Sequence, residues 1–187
     1  MPKYKADIEY IIRWEDFKKL WNTATTRQDR CLITLFWVTG GRPTEVLNLK
    51  KKDIKINEGS LEIIIDTAKL GKKGKFIVRK RSLRIHCDTE LLHLKVLYRY
   101  LENLKADDSL LFNISRQTMN NIIKRLGYDA LNKNICPYNF RHSRMTLLAE
   151  KGIGREELMR FKGARTIQSV TPYDHARKID YDIAVEI

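Results

Sequence analysis

Positive charge in this sequence is gathered where it could grip a polyanion. Between residues 69 and 84, Lys69, Lys72, Lys73, Lys75, Arg79, Lys80, Arg81 and Arg84 supply eight cations in sixteen positions without one acid, and Lys50-Lys51-Lys52 stands just upstream. A solvated hairpin guarded against edge pairing also carries lysines, but this density exceeds that need. A membrane surface is served by a basic helix with an apolar back. This run is strand-like, so nucleic-acid phosphate is the better partner. Ser115-Arg116-Gln117 adds a helix start from which Arg and Gln side chains reach phosphates or base edges. Three further segments concentrate arginine, histidine and tyrosine: Thr39-Gly40-Gly41-Arg42-Pro43-Thr44-Glu45, Pro137-Tyr138-Asn139-Phe140-Arg141-His142-Ser143, and Phe161-Lys162-Gly163-Ala164-Arg165 with Tyr173-Asp174-His175 after it. The planar fork of arginine suits directed binding of an oxyanion. A tyrosine hydroxyl is a nucleophile once its ordinary pKa of about 10 is overcome. Taken singly, each has an ordinary reading: Arg42 a surface residue at a helix start, Arg141 half of an ion pair, Tyr173 one of eight packing tyrosines.

The composition agrees with a polyanion partner. The 187 residues hold 36 Lys and Arg against 23 Asp and Glu, a formal charge of +13, and 43% of them are apolar, enough for a buried core. No apolar run approaches the roughly 18 residues of a membrane span. The start, Met1-Pro2-Lys3-Tyr4-Lys5, lacks the apolar stretch of a secretory signal. Cys31, Cys87 and Cys136 are too few and too scattered for a disulfide framework or a zinc site. A reduced, cytoplasmic setting is therefore expected, with no metal. The glycine-rich phosphate loops of nucleotide binding and the HExxH pattern are absent from the sequence.

These side chains need a scaffold. Phe17, Leu20, Trp21 and Ala24 fall at i, i+3, i+4 and i+7 and predict an amphipathic helix. Residues 27–39 predict a second, more buried helix stopped by Gly40-Gly41. Pro43 suits the first turn of another, carrying Glu45, Val46, Leu47 and Leu49. The period then shortens. Residues 53–56 alternate, Asn57-Glu58-Gly59 is turn chemistry, 61–67 is rich in β-branched residues, Gly71-Lys72-Lys73-Gly74 turns again, and 76–85 returns as a strand. A small antiparallel sheet of three strands is expected there. Beyond it the chain reads helical. Asp88 or Thr89 caps a helix with Leu91, Leu94, Val96, Leu97 and Leu101 inside, and Ser115 caps another that Gly127 stops. Pro137 opens a third, running to Glu150 and stopped at Gly152, and two short stretches follow at 156–161 and 166–173. The expected class is α+β, mostly helical, in one domain over residues 1–187.

Together and in this order, the three segments resemble the catalytic domain of the tyrosine recombinases, the phage-integrase family. That family reads TGxRxxE at its first box and HxxRH at its second, and its nucleophilic Tyr stands ten residues after the Gly of a Gly-His or Gly-Trp pair. Gly163 to Tyr173 has that spacing, and the inserted sheet and the Ser115-Arg116-Gln117 helix also fall in family order. The resemblance implies that Arg42 and Arg141 clamp the scissile phosphate, that Tyr173 is the nucleophile, and that a hairpin lysine is the general acid. Lys69 best fits that place, with Lys72 and Lys75 as rivals. Glu45 and His142 match supporting residues. Tyr138 stands where the family usually has His, a swap that resembles variants in integrases of archaeal mobile elements and viruses, and its phenol can donate to a phosphate oxygen at the catalytic centre. Ala164 stands where the family has His or Trp, so the phosphate contact there comes from Arg165 or is missing. Lys72, Lys73, Lys75, Ser115, Arg116 and Gln117 are the expected DNA contacts.

The resemblance implies a site-specific recombinase or integrase working through a 3′-phosphotyrosyl intermediate, without metal or other cofactor, on double-stranded DNA. It implies a homo-oligomer, a tetramer on DNA, with no membrane partner. The separate N-terminal DNA-binding domain of the family is expected to lie outside these residues. Two other readings stand beside it: a DNA-binding protein of the same fold with weakened catalysis, and a DNA-relaxing enzyme like the type IB topoisomerases.

Overall fold

The first helix, α1 (Trp14–Thr23), turns Phe17, Leu20 and Trp21 inward, as their spacing predicts. This computed structural model describes residues 10–70, 76–86 and 91–176, with the backbone alone at 67–70, 76–79, 86, 175 and 176. The hydroxyl of Thr26 accepts the Asp29 N–H at 3.0 Å and opens α2 (Arg27–Thr39). Helix α2 is buried along most of its length because α1, α4 (Leu92–Glu102) and α6 (Pro137–Glu150) all pack against it. Gly40 ends it with φ of 52°, a left-handed conformation that costs a residue with a Cβ. Pro43 then starts the short α3 (Pro43–Leu47), whose fixed φ suits a first turn. Leu49 lies beyond this helix but is buried, so its apolar character serves the core and not the helix.

The expected sheet is present. Strands β1 (Ile54–Asn57), β2 (Ser60–Leu70) and β3 (Phe76–His86) pair antiparallel in the order β1-β2-β3. Leu61, Ile63 and Ile65 are buried while Glu62, Ile64 and Asp66 are not, so one face lies on the core. Ile65 pairs with Arg81 across the ladder, and Lys69 pairs with Ile77. The large core gathers α1, α2, α4, α5 (Arg116–Leu131) and this sheet face. A smaller cluster, Met145, Ala149, Leu158, Val170 and Tyr173, joins α6 to α7 (Arg155–Lys162) and to the 3-10 turns Ile167–Ser169 and Thr171–Ala176.

Two boundaries differ from expectation. Helix α4 takes Leu91 as its N-cap, not Asp88 or Thr89, which lie outside the described residues. Gly127 does not stop α5: the helix runs on to Leu131 and ends at Asn132, whose φ is 53°. Glycine is required at 127 for a different reason. A Cβ there would run into Ile135 Cγ1 and lie 2.8 Å from the Lys133 carbonyl oxygen, where the chain folds back on the helix. A helix-favouring change therefore becomes a steric clash. Gly127→Ala is expected to destabilise the protein by about 1–3 kcal/mol, read as a lowered urea midpoint at unchanged slope.

Candidate active site

The turn after α2 is built by its own residues. Thr39 Oγ1 donates to the Leu35 carbonyl at 2.6 Å and accepts the Gly41 N–H at 3.0 Å. A Cβ on Gly41 would lie 2.8 Å from Val46 Cγ2, so α3 can follow this closely only over a glycine. The turn delivers Arg42 to the N-terminus of α3, where its N–H donates to Glu45 Oε2 at 2.8 Å and its Nη1 to Glu45 Oε1 at 2.6 Å.

Glu45 is 4% exposed and is the centre of a cationic cluster. Besides Arg42, Arg81 of β3 reaches its Oε2 at 3.0 Å and Arg141 of α6 lies 3.9 Å from the same oxygen. Burial pushes the Glu45 carboxyl up, but Arg81 and Arg42, together with the Arg42 N–H, outweigh it and hold the group below the ordinary carboxylate range. Arg141 is 6% exposed and donates to two backbone carbonyls, Gly40 and Lys162, each at 2.7 Å. Burial and the neighbouring Arg42 bring its guanidinium down to about 10, with Glu45 opposing. It is still charged at neutral pH, and its desolvation sharpens its hold on any arriving anion.

Tyr173 stands beside this cluster. Burial raises its phenol above the ordinary value, and the charge of Arg141 opposes that rise. The His142 ring packs against it, centroids 5.4 Å apart, and the Lys162 ammonium lies 5.0 Å from its ring centroid. The three sequence segments thus meet at one place: Arg42 with Glu45, Arg141 with His142, and Tyr173.

The other expected residues take the following places. Tyr138 is exposed and lines a groove of about 300 Å³ with Pro43 of α3 and with Arg116, Asn120 and Lys124 of α5. Arg165 is exposed. Ser115 Oγ accepts the Thr118 N–H at 3.0 Å as the cap of α5, with Arg116 and Gln117 exposed in the first turn. The backbone of Lys69 is on β2, whereas its side chain, and the whole of Lys72, Lys73 and Lys75, lie outside the described residues.

Two residues carry roles that sequence reasoning did not assign. Arg81 was one cation in a basic run, yet its Nη1 donates to the Phe161 carbonyl while Nη2 holds Glu45, so it ties the hairpin to both α3 and the end of α7. A signal existed: Arg81 shares its face of β3 with buried Leu83, and a charge on the apolar side of an alternating strand needs a buried partner. Lys162, in the last turn of α7, carried no such signal. Among the described residues, no group of His, Cys, Asp and Glu is arranged to hold a metal ion, and no helix is long and apolar enough to cross a membrane.

The Phage integrase family matches residues 11–179. The tyrosine recombinase XerA of Saccharolobus solfataricus is 27% identical over 175 residues, covering 94% of this chain and 55% of that protein. This chain therefore spans about half the length of that relative. The structure of the XerH site-specific recombinase bound to its palindromic difH substrate, a post-cleavage complex, superposes with a TM-score of 0.69 at 23% identity, over 96% of this chain and 53% of that one. The catalytic domain of bacteriophage HP1 integrase gives 0.58 at 16% identity, over 95% and 94% of the two chains. These likenesses bear out the expected fold, helices around a small three-stranded sheet.

The Glu45 cluster yields a stability prediction. Glu45→Gln leaves Arg81 and Arg141 buried without their counter-charge and is expected to cost about 3–5 kcal/mol at neutral pH. Because the folded carboxyl titrates below its unfolded value of about 4.3, its contribution is complete above that pH and is lost as pH falls through the folded value. The gap in unfolding free energy between wild type and Glu45→Gln, measured by urea titration at successive pH values, should narrow below about pH 4.3.

Proposed function

Because the chain belongs to the phage integrase family, we propose that it is a site-specific DNA recombinase that cuts and rejoins strands through a 3′-phosphotyrosyl link at Tyr173. The observation that carries this reading is that Arg42 and Arg141 share one buried carboxylate while Tyr173 lies within the field of Arg141. The Tn1549 transposon integrase was captured in complex with circular intermediate DNA, and the same class of partner suits a chain with a formal charge of +13.

The chemistry follows from the side chains. A phosphodiester repels nucleophiles, and attack spreads further charge onto its non-bridging oxygens. Arg42 and Arg141 bind those oxygens; at about 4 Å and an effective dielectric near 20, each attraction is about 4 kcal/mol before desolvation. Only the part that grows in the transition state accelerates the reaction. Tyr173 loses its phenolic proton to solvent as its oxygen bonds to phosphorus, and the 5′ oxygen leaves with a proton from the ammonium of Lys69, or of Lys72 or Lys75. The products are a 3′-phosphotyrosine and a 5′ hydroxyl. A second 5′ hydroxyl reverses the step or joins a new strand, so neither metal nor nucleotide enters.

The remaining residues support this centre. Glu45 orients Arg42, and His142 packs on the nucleophile. Tyr138 offers a donor to the scissile phosphate and Arg165 a supporting phosphate contact, with Arg116, Gln117 and the hairpin lysines along the duplex. Ser115 contributes by capping the helix that carries Arg116 and Gln117. Residues 1–187 act as one catalytic domain, working as a homo-oligomer on DNA inside the cell.

Incubation with a nicked suicide substrate tests the reading. Wild type should form a covalent adduct on a denaturing gel and Tyr173→Phe should form none. Binding without an adduct in wild type identifies a DNA-binding protein instead, and relaxation of any supercoiled plasmid without exchange between sites identifies a topoisomerase-like enzyme. Lys69→Ala should slow cleavage by about 10²–10⁴-fold and recover when sulfur replaces the leaving 5′ oxygen. A defect that sulfur does not relieve moves the general acid to Lys72 or Lys75.

A further inference from the structure

Lys162 ends α7 one residue before Gly163 and has no part in the phosphate chemistry proposed for Arg42, Arg141 and the hairpin lysines. Its surroundings are specific. Its carbonyl oxygen accepts Arg141 Nη2 at 2.7 Å, so its backbone is tied to the arginine clamp. Its ammonium donates to the Ser169 carbonyl and lies 5.0 Å from the centre of the Tyr173 ring. One residue thus touches the clamp through its main chain and the phenol through its side chain.

We infer that Lys162 is a positioning residue for Tyr173: an ammonium anchored on the Ser169 carbonyl that holds the phenol ring beside Arg141 and favours its ionised form. This rests on Tyr173 being the nucleophile. An ammonium is attracted to the negative face of a neutral aromatic ring, and more strongly to a phenolate, whose full charge is shared with the ring. The contact therefore strengthens as the proton leaves, which is the differential stabilisation that catalysis requires. Tyr173 needs such help, because burial makes its phenol harder to ionise.

The other charges around the phenol leave room for this task. Arg141 and His142 face it from α6. In its own turn, Asp174 would oppose ionisation, but Arg155 of α7 holds that carboxylate at 2.7 Å. Lys162 is itself pushed below its ordinary value by burial and by Arg141 and Arg42. Negative charge appearing on Tyr173 relieves that repulsion, so ammonium and phenolate stabilise each other.

The test reads Tyr173 directly, in the protein without DNA. With 3,5-difluorotyrosine at position 173, a ¹⁹F NMR titration reports this phenol apart from the other tyrosines. Lys162→Met and Lys162→Gln should each raise its pKa by about one unit, a tenfold loss of phenolate at a given pH, while Lys162→Arg should stay near wild type. Gln retains a donor for Ser169 without the charge, so it separates charge from anchoring. The pH profile of adduct formation should move upward by the same amount in Met and Gln and return in Arg. A titration and a profile left unmoved by both neutral variants overturn the inference. Absence of any adduct in wild type would instead defeat the role of Tyr173, and the ¹⁹F titration would still judge the pairing.

Discussion

Desolvated positive charge is the hardest thing this fold has to hold. Arg81 and Arg141 are both nearly excluded from water, and Arg42 stands over them at the head of α3. Three guanidiniums so close repel one another, and burial removes the solvent that would otherwise screen them. Glu45 makes the arrangement tenable, with one oxygen for Arg42 and the other shared between Arg81 and, at longer range, Arg141. Its charge is thus outnumbered, which leaves the cluster cationic and ready for an anion. The same imbalance that would be a defect in an ordinary core suits a site that receives an anion.

Backbone carbonyls complete the support. Arg141 reaches Gly40 at the end of α2 and Lys162 at the end of α7, and Arg81 reaches Phe161. Carbonyl oxygens at helix C-termini lack intrahelical partners and carry partial negative charge, so they solvate a buried cation without neutralising it. The guanidiniums in turn staple three separated parts of the chain: the turn after α2, helix α6 and the end of α7. The hairpin joins through Arg81, four ladder pairs along β3 from the residue opposite Lys69. The Arg42 turn, the hairpin, α6 and the end of α7 therefore share one electrostatic junction.

Much of this was legible in the chain. Helix α2 ends where Gly40-Gly41 predicts, α6 begins at Pro137 and ends at Glu150, and the three strands follow the change from a 3.6-residue to a 2-residue period. These features are written locally, in caps, breakers and side-chain alternation. Arg42, Glu45 and Arg141 were recognisable because their short boxes recur in order. Gly127 shows the opposite case: a glycine in a helix reads as a stop, but here it admits Ile135, a neighbour that helix periodicity does not announce. Arg81 and Lys162 also escaped, since a strand's alternation marks which face is buried without saying what lies across it.

The amino-acid sequence alone therefore determined the elements, their order, the excess of positive charge and the residue types able to bind and attack a phosphate, because each depends on near neighbours or on composition. Only the tertiary structure decided which cations share Glu45, which carbonyls receive Arg141 and Arg81, and which ammonium lies against Tyr173. Those choices join residues as far as 101 positions apart, as Arg141 and Gly40 are. They follow from how helices and sheet pack in space, where distance and desolvation set the strength of every charge.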